Sequence, residues 1–213
     1  MVIHAYPEDY LHSAQRIMGD MLDYASDSYE LDPDDFFQMF LISDVAYQFQ
    51  TGNPSYVAGK TGCELVKEVI RQSGLNLPDL PEEMYLDKSP EYWAGHALAF
   101  YQWYTGKTFQ RIYKAVSVRD ILNMYPAYHE MEIMQFVSAM DEKLADYYKE
   151  TNLKRLRQYA GLSQSELAEL SKVPLRQIQL FEQRQRKINH TKAVTVLMLA
   201  RALGCRCEDL LEI

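Results

Sequence analysis

Gly161-Leu162-Ser163-Gln164-Ser165-Glu166-Leu167-Ala168-Glu169-Leu170-Ser171-Lys172-Val173-Pro174-Leu175-Arg176-Gln177-Ile178-Gln179 holds two short helices and the turn between them. Gly161 ends whatever precedes it. Ser163 caps a helix over Gln164 to Ser171, because a side-chain oxygen there satisfies one of the first unpaired amides. Leu167, Ala168 and Leu170 give that helix an inward stripe. Lys172-Val173 makes the turn, and Pro174 stands where a proline in the first turn is tolerated. The next helix runs to about Gln183 and buries Ile178 and Phe181.

The flanks extend the pattern. Thr151 caps a helix over Asn152 to Tyr159, with Leu153, Leu156 and Ala160 at helical spacing. After a polar loop, Arg184 to His190, a fourth amphipathic helix spans Thr191 to Leu203 and ends at Gly204. A short fifth covers Glu208 to Leu211. Five short helices, the second and third joined by a tight turn, form an arrangement able to present one helix to a DNA major groove.

With Val173, Ile178, Glu182 and Ala202-Leu203-Gly204 added to Gly161 through Glu169, residues 151–213 resemble the Cro/repressor-type (Xre family) helix-turn-helix regulators of phage and bacteria. The resemblance implies a five-helix lambda-repressor-like fold that binds double-stranded DNA, commonly as a homodimer on paired half-sites. It implies a DNA-facing set of Ser163, Gln164, Leu175, Arg176, Gln177, Gln179 and Gln183. The residue types suit the role: Arg bonds bidentately to guanine, Gln to adenine, and an aliphatic group touches a thymine methyl. Arg184, Arg186 and Lys187, just beyond, are expected on the phosphate backbone. The chain departs from the family at Pro174, where Ser or Thr usually caps, at the apolar Leu175, and in a longer loop before the fourth helix.

Charge divides the chain at the same place. Residues 1–150 hold 11 Lys+Arg against 24 Asp+Glu, a net −13, and residues 151–213 hold 11 against 6, a net +5. Of 16 Tyr only Tyr159 falls in the second part, and both Trp fall in the first. A basic module suited to phosphate beside an acidic module with another task is the reading. A helix-turn-helix used only for packing would not need the cations clustered beside its third helix.

Residues 1–150 read as a multi-helical domain, so the whole chain is all-α. Pro7 to about Ser26 carries Leu11, Ala14, Ile17, Met18, Met21, Leu22 and Ala25 on one stripe. Asp32-Pro33-Asp34-Asp35 opens a helix bearing Phe36, Phe37, Phe40, Leu41, Val45 and Phe49, which Thr51-Gly52-Asn53-Pro54 stops. Further helices are expected over Gly62–Gln72, Pro90–Tyr104, Thr108–Ala115, Val118–Met124 and Glu130–Tyr148. Leu77 to Leu86 is a loop. Within Tyr92 to Tyr104 an aromatic effector pocket competes with a plainer reading, in which small residues let neighbouring helices pack close.

No catalytic constellation stands out, and no cofactor is implied. His129-Glu130-Met131-Glu132 lacks the second His of a metalloprotease helix, and Gly59-Lys60-Thr61-Gly62 lacks the spacing of a phosphate loop. Cys63, Cys205 and Cys207 form neither a disulfide framework nor a zinc pattern. Nothing in Met1-Val2-Ile3-His4 reads as a leader, and no stretch is long and apolar enough for a membrane, so a cytoplasmic protein is expected. The expected function is sequence-specific transcriptional regulation, with the acidic domain serving dimerisation, a small-molecule effector or a protein partner. The alternative is an antitoxin whose acidic domain neutralises a partner while the basic domain represses the shared operon.

Overall fold

The computed structural model describes residues 4–83 and 88–212. The expectation of no leader rests partly on residues 1–3, and the loop expectation partly on residues 84–86; those residues lie outside the described ones. Every regular element among the described residues is helical, with no strand. None of these helices is long and apolar enough to cross a membrane. The chain divides into two compact units, Met1–Leu144 and Ala145–Ile213.

In the first unit a single 3-10 turn, Glu8–Tyr10, leads into α1 (Leu11–Asp27). The expected stripe is buried along α1 from Ala14 to Ala25, while Leu11 stays half-exposed. Asp32 caps α2 (Pro33–Ile42), its carboxylate accepting from the amides of Asp34 and Asp35. The Phe-rich segment is two helices rather than one. Ser43 is extended, its hydroxyl donates to the Phe40 carbonyl, and α3 (Asp44–Gln50) starts afresh with the Asp44 amide bonded to Gln72 Oε1 at 2.8 Å.

α4 (Gly62–Ser73) has a reciprocal Thr61–Glu64 cap and ends at left-handed Gly74. α5 (Pro90–Thr105) is capped by Ser89 and ends at left-handed Gly106. Three short helices come next: α6 (Phe109–Ala115), α7 (Val118–Leu122) and α8 (Tyr125–Tyr128), the last not anticipated from the sequence. α9 (Ile133–Tyr147) completes the series.

α1 is packed chiefly along α5 and α4. The approach to α5 is close enough that a Cβ on Gly95 would lie 2.3 Å from the Met18 carbonyl oxygen. Ala94, Ala97 and Ala99 of the same helix are buried, as are Tyr101 and Trp103. Most of the Tyr92–Tyr104 stretch is therefore core, as the packing reading has it.

The second unit begins before the sequence-based division at 150. Its first helix is α10 (Asn152–Tyr159), and side chains of α10 hold the last turn of α9 and the residues just after it. Arg155 donates to the Tyr147 carbonyl at 3.1 Å and lies over the Tyr147 ring, and Lys154 pairs with Glu150 at 2.5 Å. The chain continues through α11 (Gln164–Ser171), α12 (Leu175–Glu182), α13 (Ala193–Leu203) and α14 (Cys207–Leu210), with a 3-10 turn at Ile188–His190. Leu153, Leu167, Val173, Ile178, Phe181, Ile188, Val196, Leu199 and Leu210 form their common core. Leu170 and Ala160 are not part of it: Leu170 is 59% exposed, and Ala160 is also exposed.

Candidate nucleic-acid interface

The candidate residues are positioned by the α11–α12 corner. Ser163 accepts the Glu166 amide at 3.2 Å, and Glu166 accepts the Ser163 amide at 2.7 Å, so α11 starts at a defined residue. Hydrogen bonds from the Ser163 hydroxyl and from its main-chain amide hold the Glu166 carboxyl below its ordinary pKa. At the other end Ser171 turns its hydroxyl onto the Leu167 carbonyl, and Lys172 takes a left-handed conformation with φ 56°. Val173 is then buried under the corner. Pro174 serves as the N-cap of α12 rather than its first helical residue. Because proline offers no side-chain acceptor, the first amides of α12 carry no side-chain cap.

Successive residues of α12 turn by about 100°, so Leu175, Arg176, Gln179 and Gln183 share one face. Leu175, Arg176 and Gln183 are exposed and Gln179 half-exposed, while Ile178 and Phe181 on the opposite side are buried. Gln177 lies off this face and donates to the Thr191 hydroxyl at 3.3 Å, which sets the approach to α13 beside α12. Gln164 at the start of α11 is half-buried, its amide donating to Glu182 Oε2 at 2.8 Å.

The cations beyond α12 fall into two kinds. Arg184 is left-handed at φ 55° and spends its guanidinium on main-chain carbonyls: Tyr148 at 2.5 Å, Lys149 at 3.3 Å and Glu150 at 3.4 Å. It fastens the segment after α9 to the end of α12. Arg186 and Lys187 are exposed and make no ion pair among the described residues. Two further exposed cations, also unpaired among the described residues, lie close by and were not singled out from the sequence: Lys172 in the corner and Lys192 at the start of α13. Lys192 directly succeeds Thr191, the partner of Gln177, a neighbourhood that only tertiary structure creates.

Among the described residues no group of three or more His, Cys, Asp or Glu is placed to hold a metal ion. No family model matches the chain, and neither a characterised protein nor a solved structure shows significant similarity to it.

Proposed function

We propose that this chain is a sequence-specific DNA-binding transcriptional regulator, a repressor of the helix-turn-helix type. Its second unit then acts as a five-helix lambda-repressor-like domain. The observation that carries the reading is the outer face of α12. Leu175, Arg176, Gln179 and Gln183 point to solvent, with unpaired cations before it (Lys172) and after it (Arg186, Lys187).

The side chains on that face have the donors and the aliphatic surface that distinguish base pairs in a major groove. The flanking cations have what the phosphates require. The uncapped first amides of α12 lie at the positive end of a helix dipole, where an anion is favoured. One helix of this length reads few base pairs, so two copies on paired half-sites are expected, each chain's acidic unit supplying contacts to its twin, an effector or a protein partner.

The test is fluorescence anisotropy of the full chain on duplexes from its own upstream region and on shuffled duplexes of equal length, over a range of salt. Binding that favours the native duplex and weakens steeply with salt is the expected result. Equal affinity for both duplexes, or no salt-sensitive binding, overturns the reading.

A further inference from the structure

Within the first unit, a cleft of about 310 Å³ opens between the first turns of α5 and the short α8. Its walls are rings that stay only half-buried: Tyr92, Trp93 and His96 on α5, Tyr125 and His129 at the two ends of α8. Trp93 and Tyr125 stand edge to face at 5.6 Å. His129 lies nearly parallel to Tyr125, with 4.4 Å between centroids, and its Nδ1–H donates to the Tyr125 carbonyl at 2.8 Å. On the α5 side Tyr92 and His96 are within 30° of parallel. Flat apolar faces gathered this way favour a flat partner.

The polar groups of the cleft are committed so that one donor is left over. Gln15, buried on α1, places its amide nitrogen 3.2 Å from His96 Nδ1 and 3.5 Å from the His96 carbonyl oxygen. Only a donating nitrogen suits both neighbours, so Nδ1 accepts and the ring proton sits on Nε2. Burial lowers the His96 pKa and His12 adds to it, which keeps the ring uncharged in neutral solution. With Nδ1 turned to α1, Nε2–H is the ring group left for the cleft, and it makes no hydrogen bond among the described residues. Lys88 at the rim is already paired with Asp20 at 2.9 Å and rests over the Tyr92 ring, so an anion finds no free charge there. No Asp or Glu is among the described lining residues, so an organic cation finds no counter-ion.

We propose that this cleft binds an uncharged planar heteroaromatic molecule of one or two fused rings, stacked among Trp93, Tyr125 and His129, with a ring nitrogen accepting from His96 Nε2–H. The volume is at the small end for ligand sites and suits such a body. Stacking supplies affinity, and the single hydrogen bond selects for an acceptor in the ring plane. The site is independent of the DNA-binding reading and is tested without DNA.

The experiment is a ligand-observed NMR titration of the full chain in neutral solution. Quinoxaline is the probe, flat and uncharged with ring acceptors. Indole is flat without a ring acceptor, cyclohexanol is apolar but not flat, and tetramethylammonium and benzoate carry the two charges. Saturable binding of quinoxaline in the millimolar range is expected, with indole several-fold weaker and no saturable binding of the other three. Tyr125→Ala and His129→Ala, which remove one wall, should each weaken quinoxaline several-fold. Because Tyr125 also packs on Trp93, thermal unfolding accompanies both variants; His129, with its side chain 33% exposed, carries the comparison if Tyr125→Ala loses stability. His96→Phe keeps a flat ring and should erase the advantage of quinoxaline over indole. Tyr159→Ala in the second unit, at a ring 94% exposed, should change nothing. No saturable quinoxaline binding, equal binding of cyclohexanol or either ion, or a loss with Tyr159→Ala as large as with His129→Ala overturns the site. An advantage over indole that survives His96→Phe overturns the role of Nε2.

Discussion

Arg157 on α10 and Glu182 at the end of α12 meet as a two-pronged ion pair, Nε to Oε1 at 2.7 Å and Nη2 to Oε2 at 2.9 Å. The Glu182 side chain is 2% exposed. The third guanidinium nitrogen donates to the Leu162 carbonyl, and Gln164 shares Oε2, so α10, α11 and α12 converge on one carboxylate. The angle at which α12 leaves the corner is set from behind by this cluster rather than by its exposed face.

Removing one partner of a buried pair leaves the other charge without compensation. Glu182→Ala should therefore destabilise the second unit by about 3–5 kcal/mol, whereas Arg157→Met with Glu182→Leu should cost clearly less than the single change. Both Trp lie in the first unit, so hydrogen exchange of the α10–α12 amides is the measurement that reads this. A double variant as unstable as Glu182→Ala would show that the carboxylate acts through shape and not through charge.

The cations around α12 are predicted to separate by function. Arg176→Ala should reduce discrimination between native and shuffled DNA by about 1–3 kcal/mol, the worth of one bidentate base contact. Lys192→Gln should weaken both duplexes alike and flatten the salt dependence by about one unit of slope. Arg184→Gln should do neither: its bonds to the carbonyls of residues 148–150 make it a structural tether, so its loss should appear as faster exchange in that segment.

Local signals made the corner legible in the sequence. Ser163 and Thr151 cap the helices that start beside them, and Gly74, Gly106 and Gly204 sit at left-handed helix ends. The break at Ser43 was hidden because the Phe–Val stripe continues across it, and the bond that fixes it comes from Gln72 on α4. Leu170 looked inward by spacing from Leu167, yet it lies about 60° from Leu167 and about 100° from Ser171, about 80° off the direction the two share. Arg184 has the composition of a phosphate contact, and only the fold reveals the carbonyls that occupy it. The acidic unit offered no functional motif to read in the sequence, and, the cleft between α5 and α8 aside, what its described residues display is the packing of α1 against α4 and α5.

Close helix approach gives a prediction of opposite sign to propensity. Gly→Ala inside an exposed helix stabilises by up to about 1 kcal/mol. At Gly95 the new methyl would meet the Met18 carbonyl oxygen at 2.3 Å and main-chain atoms of α1 beyond it, so α1 and α5 must separate. We expect Gly95→Ala to destabilise the first unit by about 1–3 kcal/mol, the usual cost of overpacking. Gly74→Ala meets nothing within 4 Å and suffers only from its φ of 78°, about 1 kcal/mol. Urea unfolding monitored by the fluorescence of Trp93 and Trp103 ranks the two. A neutral or stabilising Gly95→Ala would mean the two helices are not held at this distance.

The first unit should lose stability as the solution becomes mildly acidic, and His96 is the reason. Burial pushes its imidazole pKa below the ordinary 6.5, and the nearby His12 pushes the same way. Its Nδ1 lies 3.2 Å from the Gln15 side-chain nitrogen, a donor that suits a neutral ring. With the folded value lowered, the unfolded chain takes up the proton first. The stabilisation is complete above about pH 6.5 and declines as pH falls from there toward the folded value, by at most about 1.4 kcal/mol per pH unit. Asp23 has the opposite sign: burial raises its carboxyl, so what it contributes is present below 3.8 and lost as pH rises through its folded value. Urea midpoints of wild type and His96→Asn, measured just above and just below pH 6.5, isolate the imidazole. The wild-type midpoint should drop across that interval and the variant's should drop less. Parallel curves would assign the acid sensitivity to some other group.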